Sequence, residues 1–262
     1  DVSVGNIMSS LGESATGVIT EGGATSQIAP GLWAGSLSNI SPNKGYWIIV
    51  DTASDLCLSD ATPTDSDLLY SLHSGANLIS FPSSGSADVG SALPDDIESS
   101  VTGVITEGGA TSQIAPGLWA GSMTSFNGGK GYWMITTESI SFSFDLSAVG
   151  RSFNLNQKGL VYPQGYSIDQ STNQAFYFIE DIYLGNVRIS EGDWVLAFNN
   201  KTLVGARQWD GGFTDIPAMG NDEILNLHDY CHFGSSVRFE IHQNGTGKIF
   251  QVVDTTPLWS NN

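Results

Sequence analysis

Four histidines, two cysteines and 27 acidic residues are the side chains here that could carry chemistry. The tightest group is His228-Asp229-Tyr230-Cys231-His232. Imidazole and thiolate are transition-metal ligands, but a tetrahedral site needs them to converge from more than one segment. No second His/Cys cluster exists to complete one, so this stretch reads as a loop and no metal is assigned. The chain has no GxSxG nucleophile elbow, no HExxH pair and no Walker loop. A hydrolytic carboxylate pair is defined by separation in space, and with this many acids the sequence singles out none. The reading is therefore not an enzyme. An Asp/Glu glycoside hydrolase is kept as an alternative that requires two carboxylates converging in a cleft.

Binding chemistry offers more. In Arg207-Gln208-Trp209-Asp210, an indole beside polar side chains is the combination that stacks on a sugar ring and hydrogen-bonds its hydroxyls; the competing reading is a structural corner. Trp33 and Trp119 follow Pro-Gly-Leu and precede Ala-Gly, which suggests exposure. These six residues are the candidate binding set, for surface glycans. Asp51, Asp55, Asp60, Asp65 and Asp67 could in principle gather around calcium, but without EF-hand spacing they read as a solvated acidic loop. No other cofactor is implied. Cys57 and Cys231 either pair, if the compartment is oxidising, or remain separate thiols.

The elements that must position these groups follow from composition and repetition. The 262 residues contain 9 Lys plus Arg against 27 Asp plus Glu, net −18. Such acidity repels nucleic acid and anionic lipid surfaces, and no apolar run is long enough for membrane insertion as a helix. Thr16–Ser36 is repeated letter for letter as Thr102–Ser122, at an offset of 86. Gly-Tyr-Trp at 45–47 recurs at 131–133, and Ile7 and Leu11 align with Leu93 and Ile97. Each copy reads as a short helix (about 3–11 and 89–98), a Val-Ile-Thr strand stopped by Glu-Gly-Gly, a Leu-Trp-Ala-Gly strand and a Tyr-Trp-apolar closing strand. Trp47 and Trp133 are expected in the core.

The strand Asn77–Pro82 precedes the helix of copy 2. Its counterpart in copy 1 would fall upstream of Asp1. An open sheet edge recruits a partner, so another segment, from the C-terminus or a neighbouring subunit, is expected to fill the gap. The alternative is a truncated repeat that tolerates the loss. The expected organisation is copy 1 at 1–50, an acidic linker at 51–66, copy 2 at 67–137 and a C-terminal domain at 138–262. The last shows short alternating strands at 141–146, 174–179, 194–198, 203–206, 237–241 and 249–253. The fold class is mainly β with a few short helices: two tandem β-rich repeats, then an antiparallel β-sandwich or jelly-roll-like domain.

Asn77-Leu78-Ile79-Ser80-Phe81-Pro82, followed by a helix, Val-Ile-Thr-Glu-Gly-Gly-Ala, Leu-Trp-Ala-Gly-Ser and Gly-Tyr-Trp, resembles repeat modules of secreted or surface proteins of marine bacteria. It is also similar to modules in structural or fibre proteins of marine phages. Gly192–Asn199, Val204–Trp209 and Asp215–Asp222 resemble a β-sandwich module that accompanies them. The resemblance implies a non-enzymatic structural or adhesion protein, extracellular and on a cell or virion surface, that self-associates or binds neighbouring subunits. A carbohydrate-binding module using exposed Trp is the second expectation.

Overall fold

The computed structural model describes residues 1–59, 61–150, 162–223, 225–253 and 257–261. The fold is mainly β, built from antiparallel sheets. The chain divides into two compact units. The first holds Asp1–Thr106, Gln113–Trp119 and Thr124–Phe153; the second holds Glu107–Ser112, Ala120–Met123 and Asn154–Asn262.

Copy 1 begins with helix α1 (Val4–Ile7), which tightens into a 3-10 turn over Met8–Ser14. Val4, Met8 and Leu11 follow the spacing of one helical face and bury themselves against Ala15 and Val18. Strands β1 (Ala15–Thr20), β2 (Gly23–Ala29), β3 (Leu32–Gly35) and β4 (Trp47–Val50) form a sheet of order β3-β2-β1-β4. Residues 51–59 and 61–69 form no helix or strand.

Copy 2 repeats this plan with added cover. It runs β5 (Tyr70–Leu72), β6 (Gly75–Ser80), β7 (Ser86–Asp88), α2 (Val89–Ala92), α3 (Asp95–Glu98), β8 (Val101–Thr106), β9 (Gly109–Ala115), β10 (Leu118–Gly121), β11 (Ser125–Asn127), β12 (Gly131–Thr136) and β13 (Ile140–Phe142). The main sheet has order β10-β9-β8-β12-β6, while β5 pairs with β13 and β7 with β11. Pro94, which lacks an N–H, splits the single expected helix into α2 and α3. Strands β2 and β9 were not expected. Their Gly-Ala-Thr-Ser start shows no apolar alternation, and the tight Glu-Gly turn from β1 and β8 is what folds them back.

Two expectations are corrected here. The closing strands put Tyr132 and Met134 inside, at 1% and 0% exposure, while Trp133 and Trp47 lie half-buried on the opposite face. Tyrosine is used because its hydroxyl is also needed. Tyr132 Oη accepts from Asn127 N at 2.6 Å, and Tyr46 Oη accepts from Ser41 N at 2.7 Å, so both copies clamp the same loop. Burial pushes the Tyr132 phenol up to about 12. Second, the strand at 141–146 belongs to copy 2. Phe144 meets Tyr70, Phe81, Phe126 and Phe142 at 5.0–5.2 Å between ring centres. The first unit therefore extends past the expected boundary at 138.

The second unit contains β14 (Gln174–Ile179), the small hairpin β15 (Tyr183–Leu184) and β16 (Val187–Arg188), β17 (Trp194–Asn199), β18 (Thr202–Gln208), β19 (Thr214–Met219), β20 (Val237–His242) and β21 (Ile249–Gln251). A sheet of order β18-β17-β20-β21 packs beside the β14-β19 ribbon. Strand β17 is buried on both faces, as the inner strand of two layers must be. Gly205 in β18 lets the layers meet: a Cβ there would lie 1.6 Å from the Pro217 carbonyl oxygen. Neither backbone can yield without breaking its ladder. Gly205→Ala should therefore cost on the order of 3 kcal/mol, seen as a lower denaturation midpoint for amide exchange in β17. Gly245→Ala, with nothing within 4 Å, should leave that midpoint nearly unchanged.

Candidate functional site

The candidate glycan-binding residues fall in both units, Trp33 and Trp119 in the first and Arg207 to Asp210 in the second. Trp209 is 1% exposed and its ring lies under the Arg188 guanidinium, 5.6 Å from the centroid. It offers no face to a sugar, so its exposure is corrected to a core position. Arg207 alternates to the same side of the chain and is held by the fully buried Asp215. Its Nε donates to the Asp215 carbonyl at 2.8 Å, and a terminal nitrogen donates to Asp215 Oδ2 at 2.6 Å and to the Gly108 carbonyl at 3.0 Å. Asp215 Oδ1 also accepts from Ser122 N. This ion pair is structural, because a carboxylate at 0% exposure persists only with such partners. Gln208 and Asp210 point the other way, into solvent, where Gln208 donates to the Gly192 carbonyl and Asp210 accepts from Gly212 N.

Trp33 and Trp119 are half-buried rather than exposed. Each indole lies over a helical glycine, with Cδ1 at 3.3 Å from a Cβ built on Gly5 and 3.4 Å from one on Gly90. Trp119 Nε1 also donates to Glu98 Oε1 at 2.6 Å. Cys57 and Cys231 are both free thiols, the second of the two readings left open by the sequence. Cys231 is at 0% exposure, and burial pushes its thiol up to about 12. His228 and His232 face solvent while Cys231 faces the core, so the three do not share a site. Asp51, Asp55, Asp65 and Asp67 are exposed, and Asp60 lies outside the described residues. Among the described residues no three His, Cys, Asp or Glu side chains come together, and no helix is long and apolar enough to cross a membrane.

The feature that stands out is the edge of copy 1. In copy 2, β12 has β8 on one side and β6 on the other, paired along all six residues from Gly131↔Ser80 to Thr136↔Gly75. In copy 1, β4 has β1 on one side only. What touches this side comes from copy 2, not from the C-terminus or a neighbouring subunit as expected, and only ahead of β4. Lys44 bridges Ile79, and Gly45 N donates to the Leu78 carbonyl at 3.0 Å. Among the described residues, Trp47–Val50 has no strand on this side.

The loss of cover continues beyond β4. At the offset of 86, Leu56-Cys57-Leu58 matches Phe142-Ser143-Phe144. Phe142 and Phe144 are 4% and 5% exposed beneath Tyr70 and Phe81, whereas Leu56 and Leu58 are 39% and 52% exposed. Val50 is 40% exposed where Thr136 is 3%. The acidic composition around Leu56 hid this match in the linker reading; the alternating Leu-x-Leu at the repeat offset was the available signal.

The two copies are joined by Glu21. Its Oε1 lies 2.6 Å from His73 Nε2, and its Oε2 accepts from Leu78 N at 3.2 Å. The hydrogen bond to Glu21, then that to the Ser74 carbonyl, raises the pKa of the exposed His73 above 6.5. A raised value means that the contribution to stability is complete below 6.5 and fades as pH rises through the folded-state value. Compared with models of known families, with curated proteins and with solved structures, the chain matches none. In an NMR titration, His73 should show the upward shift and Glu21→Gln should lessen it, the Ser74 carbonyl keeping the remainder; an unshifted His73 in the parent chain would exclude the contact.

Proposed function

We propose that this chain is a non-enzymatic structural or adhesion subunit, extracellular and on a cell or virion surface, that joins neighbouring polypeptides through the open sheet edge of copy 1. The observation that carries the reading is the contrast between β4 and β12, the same strand of the same repeat, one uncovered and one covered. Unpaired strand edges beside exposed aliphatic side chains associate by backbone hydrogen bonding, with side-chain pockets setting register. The tandem repeats and the acidic, Gly-rich composition fit the same role, as does the resemblance to surface and fibre modules. The burial of Trp209 weighs against the glycan-binding alternative.

With no other partner present, the edge should pair with itself. Light scattering after size exclusion, with electron microscopy of the same fractions, should find an oligomer or polymer. Val50→Lys with Leu58→Lys should return it to a monomer, because both positions are exposed and a charge there blocks edge pairing without disturbing the core. A parent chain that stays monomeric, or an oligomer indifferent to these changes, would overturn the proposal.

A further inference from the structure

The second unit holds a cleft of about 760 Å³, walled only by its own residues. Its origin is a mismatch of layers. One sheet has four strands, β18-β17-β20-β21, and the layer facing it has two, β14 and β19. Strand β19 packs on β17 and β18. Among the described residues, the inner face of β20 and β21 therefore has no strand over it beyond β14. Ile241 sits between Val195 and Phe250 in register, and Phe239 lies two residues before Ile241, so all four share that face. Val195, Phe239 and Ile241 are at most 3% exposed and make the floor, while Phe250 at the side is half-buried. The end of β14 and the turn into the small hairpin, from Tyr177 to Gly185, form the opposite wall.

The lining has a definite chemistry. Tyr177 meets Phe239 edge-to-face at 5.2 Å, so two rings stand near right angles where the layers part. Phe178 and Tyr183, 39% and 56% exposed, add aromatic surface at the mouth. Two carboxylates, Glu180 and Asp181, are the charged groups of the lining, and no cation accompanies them. Arg188, outside the cleft, holds Asp181 at 2.5 Å. Among the described residues no ion pair reaches Glu180, so one negative charge is left uncompensated beside the aromatic rings. Ring faces attract cations for the same electrostatic reason as the carboxylate does. At one end Tyr177 Oη donates to the Pro257 carbonyl at 3.2 Å and stops the cleft. An occupant is therefore compact and does not run through as an extended chain.

We infer that this cleft binds a small organic amine, its apolar body on the floor of Val195, Phe239 and Ile241 and its single ammonium group beside Glu180. The inference goes beyond the structural role and is independent of the sheet edge of copy 1, since every residue it uses lies in the second unit. The volume falls in the range of sites that enclose small organic molecules, about 300–1,000 Å³. The floor supplies affinity by removing apolar surface from water. The charge supplies selection: an organic acid of the same shape meets Glu180 as a like charge, and a neutral analogue gains nothing from it.

The test titrates the whole chain with phenylbutylamine, phenylbutanol and phenylbutyrate, one body with three heads, and follows backbone amide shifts by NMR. The amine should move the amides of Tyr177–Glu180 and Phe250–Val253 and leave Trp47–Val50 and Trp133–Thr136 in place. It should bind about tenfold more tightly than the butyrate, with the alcohol between them. Glu180 is exposed, so changing it leaves the core intact. Glu180→Gln should erase the preference for the amine, and Glu180→Lys should reverse it in favour of the butyrate. Asp229→Asn, an equal change of net charge at an exposed position outside the cleft, should alter neither. Absence of shifts at millimolar amine, shifts confined to other surfaces, or equal affinity for the three heads would each overturn the inference. So would a preference that survives Glu180→Lys. An acetylated and amidated Phe-Lys dipeptide binding more tightly than the amine would overturn the small-molecule assignment in favour of a polypeptide ligand.

Discussion

Strand β6 is the member on which the first unit depends, because it is hydrogen-bonded along both edges by different copies of the repeat. On one side it completes the five-stranded sheet with β12. On the other, the Leu78 carbonyl accepts from Gly45 N and Leu78 N donates to Glu21. Removing it would uncover β12 and take away the backbone bonds that copy 1 makes at Leu78. Gly45 shows how close the approach is: a Cβ there would come within 2.7 Å of the Ile79 carbonyl oxygen. The tandem copies are thus joined through a backbone contact that admits no side chain, with one carboxylate beside it. Only the copy that owns β6 is closed by it.

Much of this architecture was legible because repetition supplied two readings of each element. Leu-Trp-Ala-Gly and the Tyr-Trp-apolar run are strands in both places, and the short helices sit where the aligned Ile7/Leu93 and Leu11/Ile97 pairs put them. Periodicity failed where partner strands decide conformation. Strands β2 and β9 are mostly small residues, held by pairing with β1 and β8 rather than by apolar alternation of their own. Strand β19 was hidden by Asp215 and Pro217, residue types that normally argue against a buried strand. It survives because Arg207 neutralises the aspartate and because the proline sits where Gly205 makes room for its carbonyl. In Gly-Tyr-Trp, a rule that favours the larger ring for the core chose the wrong neighbour; a clamped loop needed a hydroxyl, and alternation then turned the indole outward.

The candidate site was legible in outline and not in detail. An uncovered edge in copy 1 was expected from comparing the two copies, and β4 does pair with β1 alone. Its filler at Lys44–Gly45 could not be read, because that contact pairs residues of different copies. The side-chain candidates fared differently: Arg207, Trp209 and Asp215 are legible as a cluster of chemistry, yet burial makes them a joint. Identity of sequence does not guarantee identity of setting either. Ala24 and Ala110 lie in the same 21-residue repeat, one exposed and one fully buried.

The fate of the two thiols has a practical side. Cys231 is sealed in the core and protonated far above neutral pH, so an electrophile in solution meets only Cys57. That residue lies between Leu56 and Leu58, in the middle of the uncovered surface. A single maleimide dye would therefore mark the exposed Leu56–Leu58 stretch of every molecule, reporting on its surroundings without any engineered cysteine.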